Sequence, residues 1–311
     1  MQGIELSKLF YENFGKSMID NDFSEYKDRI AVGLVGHGSE CFGYDDDISK
    51  DHDFAPGFCL WLTEEDEREI GFKLFRAYSK LPKEYMGVKC AESSAGGPKE
   101  TGVHTIGGFY SKYTGCQGAP KSWQDWLYTP SHYFAEATNG MVFADPLGEF
   151  TKIRELIKTG MPEDVRLKKI ASCALHMAQS GQYNYKRCIG HGEMGAARFA
   201  LAEFAKNAAE IVFLLEKRHA PYYKWTLRAM RDLPRLGEMS SELEELMLTP
   251  PDETLKIELG IESFSSKIIA EFKRQNITEA GCEYLESHAY SVNNKISDSE
   301  IRNLNIFYDD H

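Results

Sequence analysis

The residues best suited to chemistry fall in one stretch: Gly36-His37-Gly38-Ser39-Glu40, with a spacer of 11 residues (40 to 50) separating Ser39 from Asp51-His52-Asp53. A glycine pair after a buried strand lets backbone N–H groups approach a ligand closely. The serine hydroxyl adds a donor, so Gly38 and Ser39 could cradle phosphate oxygens. Two carboxylates one residue apart on a strand project to the same face, because strand side chains alternate with period two. Asp51 and Asp53 could therefore share metal ions. Magnesium fits them, since it takes oxygen ligands and bridges to substrate phosphates. The competing reading is a solvated acidic loop, but Phe54 and the apolar residues after it place the pair at the start of a strand. His52 then points the opposite way and reads as packing. His37 reads as structural before ligand, and Asp45, Asp46 and Asp47 as solvated loop charges close enough to draw in metal.

Other sites can be tested against the same residues. An EF-hand beginning at Asp45 fails, because its sixth position is Lys50 in place of glycine and its twelfth is Pro56 in place of glutamate. A dinucleotide fingerprint fails because Cys41 stands where the third glycine belongs. No GxxxxGK[ST] occurs, and His191-x-Glu193 has no PCxxC after it, which removes the zinc-deaminase reading. The 7 cysteines are scattered with no CxxC pair to hold zinc or run redox chemistry, so they are expected reduced and mostly packed.

The scaffold for the Gly-Ser and Asp-x-Asp residues starts with an amphipathic stretch from Ile4 to Ile19. Ile30 to Gly36 follows as a short, β-branched, glycine-punctuated strand. Phe54 to Leu62 predicts a second strand and Val103 to Ile106 a third. Thr63 followed by Glu64-Glu65-Asp66 predicts a capped helix running to about Leu81, its acidic first turn suiting the positive end of the helix dipole. Ser93 to Gly102 reads as a loop. Beyond Asp145-Pro146 the pattern becomes helix after helix: Phe150 to Lys158, Pro162 to Ser180, Glu193 to Arg218 and Asp252 to Arg274. Phe199, Leu201, Phe204, Ala208, Ile211, Val212 and Leu215 recur at helical spacing, as the core of a bundle would. The tail after Ser297 is polar and expected to be loosely held. The shift in pattern predicts two domains, 1–150 and 151–311.

In the helical half, Tyr222-Tyr223-Lys224-Trp225 could stack a base and contact phosphates, or could be a helix start sealed against the bundle. Tyr183, Tyr185 and Arg187 read as packing and surface residues, and Glu193 with Arg198 as a pair on one helix face. Composition limits the function further. The chain has 311 residues, 42% apolar and 12% aromatic, enough for one or two substantial cores. Its 36 basic residues against 48 acidic ones give a net charge of −12, which disfavours nucleic acid as a partner. The longest apolar run, Ala208 to Leu215 with Glu210 inside it, falls far short of the roughly 18 residues of a membrane span. No secretory signal opens the sequence, so a cytoplasmic location is the expectation.

The order strand, Gly-Ser, spacer, Asp-x-Asp, strand resembles the nucleotidyltransferases of the DNA polymerase β superfamily. Within it, the chain is similar to the branch that includes kanamycin-type antibiotic nucleotidyltransferases, and more closely to a bacterial relative whose acceptor is unassigned. Thr138 to Asp145, Tyr183 to Arg187, Phe213 to Leu215 and Pro221 to Trp225 extend the resemblance over most of the chain. It implies an α+β fold, a small mixed-sheet nucleotidyltransferase domain followed by an all-helical bundle. It implies transfer of a nucleoside monophosphate from a nucleoside triphosphate to an acceptor hydroxyl, with release of pyrophosphate. Asp51 and Asp53 would hold two magnesium ions, Gly38 and Ser39 the triphosphate tail, and Tyr223 and Lys224 would contact the nucleotide. The family usually supplies a third carboxylate from the next strand; here that strand offers His104. A base of this kind could titrate near neutrality, and Asp145 and Glu136 are the substitutes. The rival from another class is a catalytically degraded nucleotide-binding or antitoxin-like partner protein. With two domains, the site is expected at their junction, since small-molecule clefts favour such boundaries.

Overall fold

The computed structural model describes residues 1–46, 55–90 and 101–307. The chain divides into two compact units, Met1–Asp125 with Tyr133–Gly160, and Trp126–His132 with Met161–His311. Six short strands occur among the described residues, all in the first unit: β1 (Ala31–Leu34), β2 (Cys59–Leu62), β3 (Glu84–Tyr85), β4 (Val88–Lys89), β5 (Gly102–Thr105) and β6 (Met141–Ala144). Four of them form a mixed sheet in the order β5-β2-β1-β6. β1 lies antiparallel to both β2 and β6, and β2 runs parallel to β5. β3 and β4 make a separate antiparallel hairpin that the sequence did not announce.

Both faces of the two central strands are covered, which is why they read as continuous apolar runs instead of alternating ones. On one face Val32, Leu60 and Leu62 join a core with Phe10 and Met18 from the N-terminal helical segment and Ile70, Leu74 and Tyr78 from the helix after β2. On the other, the Trp61 ring stacks on Phe150 at 3.9 Å and meets Phe109 edge-on at 5.4 Å. The capped helix after β2 forms as expected: the Thr63 hydroxyl accepts the Asp66 N–H at 3.1 Å, and helix continues through a wider π-helical turn to Tyr78.

The third strand ends one residue earlier than Val103 to Ile106 implied. Thr105 caps the next helix by accepting the Gly108 N–H at 2.9 Å, so Ile106 is that helix's first residue. β6 was not expected as a strand because Met141–Ala144 is only four residues long and half-exposed. It joins β1 through a register shift between Val32 and Gly33. Gly33 permits this, since a Cβ there would sit 2.5 Å from the Met141 carbonyl oxygen. The loop expected over Ser93 to Gly102 lies outside the described residues up to position 100.

The second unit holds the helices Glu163–Met177, Met194–Leu215, Tyr223–Arg231, Met239–Leu248, Thr254–Arg274 and Leu285–Asn294. Pro162 precedes the first as its cap with extended ψ, one position outside the turn it was expected to open. Leu201, Phe204, Ala208, Ile211, Val212 and Leu215 are buried as the periodicity implied, but Phe199 is 81% exposed. The expectation of a loose tail fails as far as residue 304. Asp298 caps the helix Ser299–Asn303, Ile301 is buried, and the Lys168 ammonium donates to the Asn293 side chain and to the Arg302 and Leu304 carbonyls. All seven cysteines are free: Cys41, Cys59 and Cys173 are buried, while Cys282 is exposed.

Candidate functional site

β1 delivers the chain into a turn whose backbone only glycine adopts readily. Gly36 has φ +122° and Gly38 φ +127°. Ser39 then opens the short helix Ser39–Phe42, which Gly43 ends in the left-handed conformation. The Gly38 carbonyl accepts the Cys41 N–H at 3.2 Å and the Ser39 carbonyl the Tyr44 N–H at 2.9 Å, closing the segment into a compact knuckle. Glu40 is buried and its carboxyl folds over Gly38, where a Cβ would meet Oε2 at 2.6 Å.

Side chains distant in sequence hold this turn, and sequence reasoning did not single them out for it. The Asn139 amide exchanges two hydrogen bonds with Gly36: Oδ1 accepts its N–H at 2.9 Å and Nδ2 donates to its carbonyl at 2.8 Å. The next residue, Gly140, donates its N–H to the Cys41 carbonyl at 2.7 Å. Its own carbonyl accepts Nη2 of Arg154 at 3.1 Å. Arg154 is buried, and its Nη1 has no hydrogen-bond partner among the described residues; burial draws the guanidinium below its ordinary range. An Asn-Gly pair is a turn signal, so the sequence carried a hint of this contact. Arg154 carried none, since a helical arginine ordinarily reads as surface.

His37 lies with Nδ1 3.3 Å from Oε1 of the buried Glu136, its side chain otherwise largely exposed. Asp51, His52 and Asp53 lie outside the described residues, as does Asp47. Of the neighbouring acids, Asp45 is not a solvated loop charge: Oδ2 accepts the Gly3 N–H at 2.8 Å, a carboxylate at the N-terminus of the helix Gly3–Phe10. Among the described residues, no group of three or more His, Cys, Asp or Glu side chains comes together to hold a metal ion.

His104 sits in β5 directly opposite Trp61 of β2, while its neighbour Val103 stands opposite Leu60 and packs into the sheet's other face. It is therefore half-buried on the Trp61 side and separate from the Val32 and Phe58 core. The two substitute bases have partners of their own. Asp145 accepts the Thr151 N–H at 2.7 Å in the first turn of the helix Glu149–Thr159, and Glu136 meets His37.

Tyr223 and Lys224 belong to the second unit. Tyr223 is 76% exposed at the start of its helix, so it is not sealed against the bundle. Its ring centre lies 4.5 Å from that of Tyr222, which meets His132 edge-on at 5.7 Å. The Lys224 ammonium lies 5.5 Å from the centre of the Trp225 ring. Tyr185 is buried and Arg187 lies over the Tyr183 ring at 5.1 Å, packing and surface roles as expected. Arg198 donates to the Thr249 carbonyl at 2.8 Å, and Glu193 is the cap of the same helix, so they do not form the expected face pair.

A family model described as a domain of unknown function (DUF4037) matches residues 126–226. No curated protein matches the chain. Among solved structures, the chain is similar to a nucleotidyltransferase-like protein from Exiguobacterium sibiricum 255-15, at 10% identity and a TM-score of 0.38, with 84% of this chain and 78% of that one covered.

Proposed function

We propose that this protein is a magnesium-dependent nucleotidyltransferase that moves a nucleoside monophosphate from a nucleoside triphosphate to an acceptor hydroxyl and releases pyrophosphate. The observation that supports it most is the turn leaving β1, where two glycines at positive φ, Gly36 and Gly38, lead directly into Ser39. Gly38 and Ser39 hold the triphosphate tail there. Asp51 and Asp53 offer only oxygen donors, a set that fits magnesium, whose charge offsets that of the triphosphate when bound. The acceptor oxygen forms a bond to the α-phosphorus as the bond to pyrophosphate breaks. His104 takes the hydroxyl proton, the role its neutral imidazole permits. On the second unit, Tyr223 offers an exposed ring for stacking a base and Lys224 a cation for phosphate.

The second reading, a non-catalytic nucleotide-binding or antitoxin-like partner, draws on one observation: β5 carries His104 where the resemblance places a carboxylate. One experiment separates the two. The purified chain is incubated with ATP, GTP, CTP and UTP in magnesium, with candidate hydroxyl acceptors, and pyrophosphate release is followed. At least one donor should give release that Asp51→Asn and Asp53→Asn each abolish without lowering the melting temperature. A folded double variant with full activity overturns the transferase reading, and nucleotide binding without any release favours the partner reading.

A further inference from the structure

We infer that Asn139 is a positioning residue for the phosphate-holding turn, fixing Gly36 from outside so that Gly38 and Ser39 present their donors in one geometry; this rests on the reading of that turn given above. The turn's own backbone hydrogen bonds begin at the Gly38 carbonyl, leaving Gly36 to be held from outside it. Glycines at 36 and 38 leave it more conformational freedom than any other residue would, and ordering that freedom when a ligand arrives weakens binding. Anchors outside the turn remove the cost in advance.

The anchors come from one short segment. Glu136 meets the His37 ring, Asn139 takes both the N–H and the carbonyl of Gly36, and Gly140 donates to the Cys41 carbonyl. The turn is thereby gripped on its entry side at Gly36 and on its exit side at Cys41. Gly140 can come this close because it lacks a side chain: a Cβ there would stand 2.0 Å from the Leu34 carbonyl oxygen. Arg154 in turn holds the Gly140 carbonyl. Asn139 is the informative member because its amide is neutral. Removing it changes no charge near the phosphates, so any loss of phosphate affinity reports geometry.

The test uses the full chain, magnesium and inorganic tripolyphosphate, which has the triphosphate charge and no base, with calorimetry as the readout. Asn139→Ala should weaken tripolyphosphate binding about tenfold, the scale expected when two anchoring hydrogen bonds are lost, and raise KM for the donor nucleotide in proportion. Thr114→Ala is the control. It removes a buried hydroxyl bonded to the Tyr110 and Gly118 carbonyls in the same unit, at a distance in sequence from the turn, and should leave affinity unchanged. Asn139→Gln, which keeps the amide but displaces it by a methylene, serves if the alanine variant does not fold and should also bind more weakly. Unchanged affinity in the Asn139 variants, or an equal loss in Thr114→Ala, overturns the inference while leaving the phosphate turn in place. If the wild-type chain binds neither tripolyphosphate nor any nucleoside triphosphate, the reading of the turn itself fails and the inference falls with it.

Discussion

A single absent methyl group at Gly140 lets the segment before β6 reach the turn after β1. Its φ is +64° and the space where a Cβ would go is filled by backbone, the Leu34 carbonyl oxygen at 2.0 Å and the Val35 Cα at 3.0 Å. Gly148 has nearly the same backbone, φ +70°, with nothing within 4 Å of its Cβ position. The pair separates conformational strain from collision. Gly148→Ala should cost about 1–2 kcal/mol, the strain of a left-handed residue alone, whereas Gly140→Ala should cost more than about 4 kcal/mol because backbone must also move. Urea unfolding of the two variants checks this; equal costs would mean that the Leu34 carbonyl yields freely. The sequence identified Gly38 and Ser39 as unusual positions, but nothing in it said that positions about a hundred residues apart would share hydrogen bonds.

The helix Met194–Leu215 illustrates what periodicity settles in an element. Each residue advances about 100° around the axis, so Phe199 stands about 140° from Phe204, outside the arc that Leu201, Ala208, Ile211 and Leu215 share. Reading residue type before angle put Phe199 in the core; the angle alone places it outside, where it is 81% exposed against 0% for Phe204. Phe204→Ala should therefore destabilise by about 3–5 kcal/mol through cavity formation, and Phe199→Ala should stay within about 0.5 kcal/mol. Chemical denaturation of both variants measures it, and a large loss at Phe199 would show that this ring is covered in solution. Elsewhere, the helix after β2 was legible because Thr63 and its acidic first turn are local signals. β6 and the β3–β4 hairpin were not, since strands of four and two residues gain their identity from the partner they pair with.

Across the molecule, the end of the chain is held by a buried cation. Lys168 donates to Asn293 Oδ1 at 2.9 Å and to the Leu304 carbonyl at 2.7 Å, with no carboxylate among these partners. Burial pushes its pKa down to about 8 from 10.5. The folded value lies below the unfolded one, so the stabilising contribution is present above 10.5 and is lost as pH falls through about 8. Between those limits the wild-type chain should gain stability relative to Lys168→Met as pH rises. Urea midpoints of both proteins at pH about 7.5 and about 9.5 measure the gap, and a gap that does not change with pH would show that the ammonium is not desolvated. At neutral pH the same variant should also free the residues after Ser297 for limited proteolysis, because they lose their anchor. Polarity made that tail look loose; its restraint comes from a helix more than a hundred residues earlier.

What the sequence determined by itself was the local chemistry and the local geometry. It located the turn glycines, the Thr63 cap, the helical periodicity of the second half and the two strand runs, although β1 is confined to Ala31–Leu34 and β2 begins at Cys59, later than the expected Phe54. These follow from backbone preference, side-chain alternation and ligand chemistry, which act within a few residues. The tertiary structure alone decided that Asn139 and Gly140 grip the turn, that the buried Arg154 holds the Gly140 carbonyl, and that His104 stands opposite Trp61. Each of these is a contact between positions whose separation along the chain carries no signal. Hydrogen bonds and close packing reward such contacts only after the sheet order β5-β2-β1-β6 has brought the segments together.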